Sequence, residues 1–191
     1  MDFVIVLLVC AASFGGMYLI DKGFTRLFRN RAQHQSGLSV RLSKKYASIG
    51  LILAVVGLSA IFAWINGNEM ILGIGGIVVL LLGIGLVVYY MTFGVFYDED
   101  GFVVTTFGKR STTYRYQQIA GQLLYNSYGS IIIELHMDDG RTVGLQSGMA
   151  GVYPFLDAAF AHWCRQTGRE ADECEFHDPQ NSLWFPMMEA K

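Results

Sequence analysis

The chain has 191 residues, 52% of them hydrophobic and 16% charged, against about 25% charged in an ordinary soluble domain. Residues 1–97 carry 7 Lys/Arg against 3 Asp/Glu, and residues 98–191 carry 7 against 13. The acidic second half excludes the basic surface that nucleic acid requires, and three cysteines, Cys10, Cys164 and Cys174, predict free thiols in a reducing compartment rather than a disulfide framework.

Three stretches carry no charge: 3–20, 46–66 and 70–97. A helix crossing a bilayer core needs about 20 apolar residues. Helices are therefore predicted over about 3–20, 46–66 and 70–91, the last ending where Phe93, Gly94, Phe96 and Tyr97 break the pattern. The first stretch lacks the leading positive charge of a signal peptide, because Asp2 precedes it and the basic residues follow. It reads as a retained helix with its N-terminus outside. No charge lies within the three stretches, so nothing there marks an ion or substrate path.

The connection at 21–45 carries Lys22, Arg26, Arg29, Arg31, Arg41, Lys44 and Lys45 against Asp21 alone, and the connection at 67–69 has no basic residue. Short Lys/Arg-rich connections stay in the cytoplasm. The basic loop and everything after the third helix are thus predicted to lie inside, as a multi-pass protein of the inner (plasma) membrane. Phe24, Leu27 and Phe28 alternate with Arg26, Arg29 and Arg31 as in a short helix lying on a lipid surface. The seven basic residues are candidate membrane-surface contacts, although a purely topological role suffices for them. Ala47, Gly50, Ala54 and Gly57 share a face, and Ala11/Gly15 and Ala12/Gly16 are spaced by four. Such small residues let helices approach closely, within one bundle or between copies in a homo-oligomer.

From Gly94 the period becomes two. Short strands are predicted around 95–97, 102–107, 111–116, 123–125, 131–137 and 142–145. Turns at Asp98-Glu99-Asp100-Gly101, Gly108-Lys109-Arg110, Asn126-Ser127-Tyr128-Gly129 and Asp138-Asp139-Gly140-Arg141 separate them. Val152, Phe155, Leu156, Ala159, Phe160 and Trp163 then form one apolar helical face, with Pro154 in the first turn and Gly168 as the stop.

A membrane anchor, a run of short strands and one C-terminal amphipathic helix resembles the bacterial membrane proteins with a PH-like domain. The resemblance covers 94–167. It rests on the hairpin at 98–101, the Tyr114-x-Tyr116-x-x-Ile119 strand end, the Asp139-Gly140-Arg141 hairpin and the helix over 152–166. It implies three transmembrane α-helices followed by a cytoplasmic α+β domain, a PH-like antiparallel β-roll capped by one helix. The expected parts are a membrane domain at 1–93, a PH-like domain at 94–168 and an acidic tail at 169–191. PH-like folds imply binding of lipid headgroups, peptides or proteins. The acidic Asp98-Glu99-Asp100 hairpin departs from the basic loop of lipid-binding members, so a phosphoinositide ligand is discounted. Lys109, Arg110, Arg115 and Arg141 remain as a small basic patch.

No catalytic residue, cofactor or metal is expected. Cys174-x-x-His177 offers one ligand pair, but His162-x-Cys164 is poorly spaced to complete a zinc site. The Asp pairs at 98/100 and 138/139 sit in glycine turns, where Asp serves the backbone. His34 has no assigned role. The apolar 183–188 cluster is either a recognition segment or a fold-back onto the domain. The expected function is a noncatalytic membrane-anchored module that binds a protein or peptide. A transporter or channel subunit and a membrane enzyme, the latter built on a pocket joining Glu134, His136 or His162, are the alternatives.

Overall fold

The computed structural model describes residues 15, 16, 18–20, 22, 38–67, 69–106, 111–127 and 129–188. They divide into two compact units, one from the described residues up to 22 together with 43–93, the other from 38–42 together with 94–188.

In the first unit, helix α1 (Lys44–Gly67) and helix α2 (Met70–Thr92) are each long and apolar enough to cross a membrane. At about 1.5 Å per residue, their 24 and 23 residues exceed the roughly 30 Å of a hydrocarbon core. Only 11% and 17% of their most apolar stretches are buried, unlike the core helices of a water-soluble fold. The two pack through glycine. A Cβ at Gly57 would lie 2.5 Å from the Leu80 nitrogen and 2.7 Å from the Gly76 carbonyl oxygen, and one at Gly83 would lie 2.5 Å from the Ala54 nitrogen. Gly50 meets Gly83 in the same way, and Gly73 receives the Trp64 ring. Of the small-residue face, Gly50, Ala54 and Gly57 thus pack against α2 within the chain, and Ala47 is buried. Of the predicted first helix, residues 15, 16 and 18–20 are helical, as is residue 22 just beyond it, with Gly16 against Leu51 of α1; the remainder of the predicted helix lies outside the described residues.

The second unit holds seven strands in two antiparallel sheets. The first sheet is a meander of β1 (Ser39–Val40), β2 (Gly94–Tyr97), β3 (Gly101–Thr105) and β4 (Thr112–Arg115). The second is a meander of β5 (Ile119–Ser127), β6 (Ser130–Met137) and β7 (Thr142–Gln146). Helix α3 (Val152–Thr167) closes them, ending at Gly168 in the left-handed region (φ 69°). Its Phe155 meets Tyr97 and Phe102 of the first sheet edge-on, and its Trp163 indole donates to the Ile119 carbonyl at the start of β5. Ile133, Leu135 and Leu145 fill the core from the second sheet. The alternation read from sequence, with Ile131, Ile133, Leu135 and Met137 on one face, holds in part: Ile133, Leu135 and Met137 are buried, as are Tyr114 and Tyr116 to either side of an exposed Arg115, but Ile131 is 38% exposed and Ile132 on the opposite face is buried.

Two boundaries differ from the sequence reading. Residues 38–42, assigned to the basic loop, belong to this unit: Ser39 pairs with Phe96, Val40 with Val95, and Arg41 bridges to Ala150. The strand is stable because Val40 and Leu42 are buried while Ser39 and Arg41 satisfy the backbone ladder. The unit is also not finished at 168. Residues 171–173 and 179–181 form single 3-10 turns, and the chain then returns to β5, where Met187 pairs with Gln122 in parallel. The described part of the tail therefore folds back onto the domain.

Candidate functional site

Four strands end the two sheets, β1 and β4 in the first, β5 and β7 in the second; among the described residues, β5 bridges to Met187 and Arg41 beside β1 bridges to Ala150, while β4 and β7 have no such bridge. Between them is a hollow of about 590 Å³, lined by Val104, Thr106, Thr112, Tyr114, Arg141 and Thr142, among others. Arg141 closes one side. Asp139 Oδ1 accepts its backbone N–H at 2.9 Å, Asp139 Oδ2 lies 3.5 Å from its Nε, and its Nη1 donates to Thr112 Oγ1 at 3.3 Å. The turn thus ties the β6–β7 hairpin to β4, while the Arg141 side chain stays 64% exposed and open to a ligand.

A second hollow, of about 650 Å³, shares Tyr114 with the first and lies toward α3, where Arg115, Gln117, Gln118, Asp138 and Gln166 line it. Two of its glutamine side chains are held by main-chain N–H groups. Gln118 Oε1 accepts the Arg115 N–H at 2.8 Å, and Gln166 Oε1 accepts that of Gln117 at 3.1 Å. Hydroxyls, amides and two guanidinium groups beside unpaired strand edges suit the recognition of peptide groups and carboxylates.

Of the residues that the enzyme alternative names, Glu134 and His136 lie two apart on β6, and His162 is on α3. Glu134 accepts a hydrogen bond from the Tyr125 hydroxyl at 2.8 Å on the second sheet, which raises the Tyr125 pKa. His162, on α3, stacks on Tyr116 with ring centroids 4.9 Å apart, 3.3 Å from an Arg165 guanidinium nitrogen. Burial and then the Arg165 charge hold its pKa below the ordinary value. Tyr116 donates its hydroxyl to the Asp98 carbonyl, and burial lifts its pKa well above the phenolic range. His136 sits on β6 opposite Thr142, with Nε2 buried and unbonded.

The Asp pairs serve their turns. Asp98 Oδ1 accepts the N–H groups of Asp100 and Gly101 at 3.0 and 2.9 Å, and Gly140 takes φ +78°. Among the described residues, no three His, Cys, Asp or Glu side chains are grouped as metal ligands would be. Cys164 and Cys174 are brought together as buried thiols, and burial followed by the neighbouring Cys174 pushes the Cys164 thiol up to about 11.

Of the membrane-surface candidates, Lys22 is exposed with its amine 6.0 Å over the Tyr18 ring, Lys44 and Lys45 are exposed in the first turn of α1, and Arg41 is held in the bridge to Ala150. Arg26, Arg29 and Arg31 lie outside the described residues, as do His34, Lys109 and Arg110. Sequence reasoning names Arg115 and Arg141 but misses Thr106, Thr112 and Thr142. Nothing in a strand sequence marks which threonines a second hairpin will face. Compared with known proteins, the chain matches no family model, no curated sequence and no solved structure.

Proposed function

We propose that this chain is a noncatalytic, membrane-anchored binding module that presents a PH-like domain to a protein or peptide partner at the cytoplasmic face of the inner membrane. The observation that carries this reading is the open hollow between two unpaired strand edges, β4 and β7, with Arg141 and polar side chains around it. An extended peptide adds to such an edge through its main chain and is selected by the side-chain pockets beside it. The PH-like assignment is supported by the order of the elements, a four-stranded meander, a three-stranded meander and a closing helix, with β1 supplying a seventh strand. The anchoring is supported by the two membrane-length helices, and the orientation by the basic connection before them.

The test is site-specific photo-crosslinking in native membranes from Thr142, which is exposed beside the hollow. A reproducible protein neighbour, lost in Arg141→Glu, is expected. Labelling of lipid alone, or of no constant neighbour, would remove the binding assignment. Reporter fusions after Glu69 and after Gly148 test the orientation, with the first active outside and the second inside.

A further inference from the structure

The segment 178–188 lies along the outer edge of β5 and against α3, and it is recognised the way a peptide ligand is. One side chain reads its main chain. The amide of Gln122, wholly buried, donates Nε2–H to the Ser182 carbonyl at 2.9 Å, and its Oε1 accepts the N–H groups of Trp184 and Phe185, each at 2.9 Å. The Gln122 backbone adds two bonds, N–H to the Pro186 carbonyl and C=O from the Met188 N–H, both 2.8 Å. A one-residue bulge between Ile119 and Gly121 turns Gln122 onto the core face, opposite Leu135, where it can reach the segment. Gly121 leaves the room: a Cβ there would lie 2.6 Å from the Pro186 carbonyl oxygen.

Specific pockets take the side chains. The Trp184 indole donates to Asp157 Oδ1 on α3 at 2.8 Å, and Phe185 stands edge-on to Phe160 and Trp163. Docking also carries costs. Ser182 holds a left-handed backbone (φ 61°) while buried, and His177 Nδ1 is buried without a hydrogen bond. Between the end of α3 and the buried Cys174, residues 168–173 are all exposed, and Gly168 is left-handed.

We propose that the groove between β5 and α3 is a peptide-binding site whose resident ligand is this chain's own segment 178–188, held as an exchangeable strand. In trans it accepts an extended peptide of the same chemistry: free main-chain groups for Gln122, an aromatic pair and a following proline. Tethering gives the resident segment a high effective concentration, so a trans ligand enters only when the tether is cut or outcompeted. The site uses a different sheet edge from the β4–β7 hollow and does not rest on the function proposed above.

The test keeps the full chain in detergent or nanodiscs, with a site-specific protease sequence inserted between Arg169 and Glu170. The probe is a fluorescent peptide copying residues 178–188. Before cleavage the probe is excluded. After cleavage it enters saturably, the unlabelled peptide displaces it, and alanine in place of Trp184 in the peptide weakens entry by about tenfold or more. In the protein, Gly121→Ala lowers entry from the strand side. The proposal is overturned if the cut, folded protein retains its fragment and admits no probe. It is equally overturned if the domain loses its circular dichroism signal as the fragment leaves, because the segment is then an irreplaceable part of the core.

Discussion

The imidazole of His177 lies flat on the Phe160 ring, centroids 3.7 Å apart and planes 4° from parallel. Burial against this ring holds the His177 pKa below its ordinary value, and Asp157 and Asp178, which pull it upward, do not compensate. The folded domain therefore favours the neutral ring. The resulting stability is complete above the unfolded pKa of about 6.5 and is lost as the pH falls below it, because the unfolded chain binds the proton more readily. Melting temperatures measured from pH 7.5 down to 5 are expected to fall more steeply in the native protein than in His177→Gln. His162 shifts in the same direction and remains in both proteins, so only the difference in slope reports on His177. Equal slopes would refute the assignment.

Removing the Gln122 side chain strands three main-chain groups of the tail, the Ser182 carbonyl and the N–H groups of Trp184 and Phe185. An orphaned buried polar group costs about 1–3 kcal/mol. Gln122→Ala is expected to lower unfolding stability by at least about 2 kcal/mol and to expose the Trp184 and Phe185 amides to hydrogen exchange. Gln122→Glu should be worse, since a carboxylate offers the Ser182 carbonyl no donor. Unchanged exchange at both amides in the alanine variant would show that the tail is held by its aromatic side chains alone.

The two transmembrane-length helices give a paired comparison. Gly57→Ala drives a methyl into the Leu80 and Gly76 backbone, while Gly75→Ala and Gly85→Ala meet nothing within 4 Å. Overpacking costs about 1–3 kcal/mol. Gly57→Ala is expected to weaken the α1–α2 hairpin by that amount, read as a lower denaturation midpoint in detergent, with the other two neutral or slightly stabilising. If Gly75→Ala or Gly85→Ala did comparable damage, those faces would be packed against something in the membrane.

Cys164 is chemically quiet. With a thiol pKa near 11, only about one part in a thousand is thiolate at pH 8, and the thiolate is the nucleophile. In a Cys10→Ala background, iodoacetamide is expected to modify Cys164 at least about tenfold more slowly than a free cysteine, with the rate rising steeply toward pH 10. Rapid modification at pH 7.5 would mean that the tail opens often enough to expose the thiol.

Period-two and period-3.6 patterns sufficed to read the elements of regular burial, among them the strand through Ile133 and Leu135 and the helix through Phe155 and Trp163. Two features escaped for different reasons. Strand β1 is two residues long, and its signal, Val40 and Leu42 alternating with Ser39 and Arg41, is submerged in a run of charges that reads as a topology determinant. The sequence pattern marks β5 only at 123–125, because the bulge shifts the alternation by one and a glutamine occupies a core position. A buried Gln122 makes sense only once the segment that satisfies it, some sixty residues later, is in view. The β4–β7 hollow was illegible for the same kind of reason, since it belongs to neither hairpin alone.

The pairing of Val40 with Val95 spans the whole helical hairpin, so the first sheet is interrupted in sequence by both membrane-length helices. A ribosome delivers Ser39 and Val40 some fifty residues before the strand they join. Until that strand arrives, Val40 has nothing to bury against. Closing so long a loop carries an entropic cost. Completion of the first sheet therefore waits until both long apolar helices, which lie between its two strands in sequence, have been synthesised.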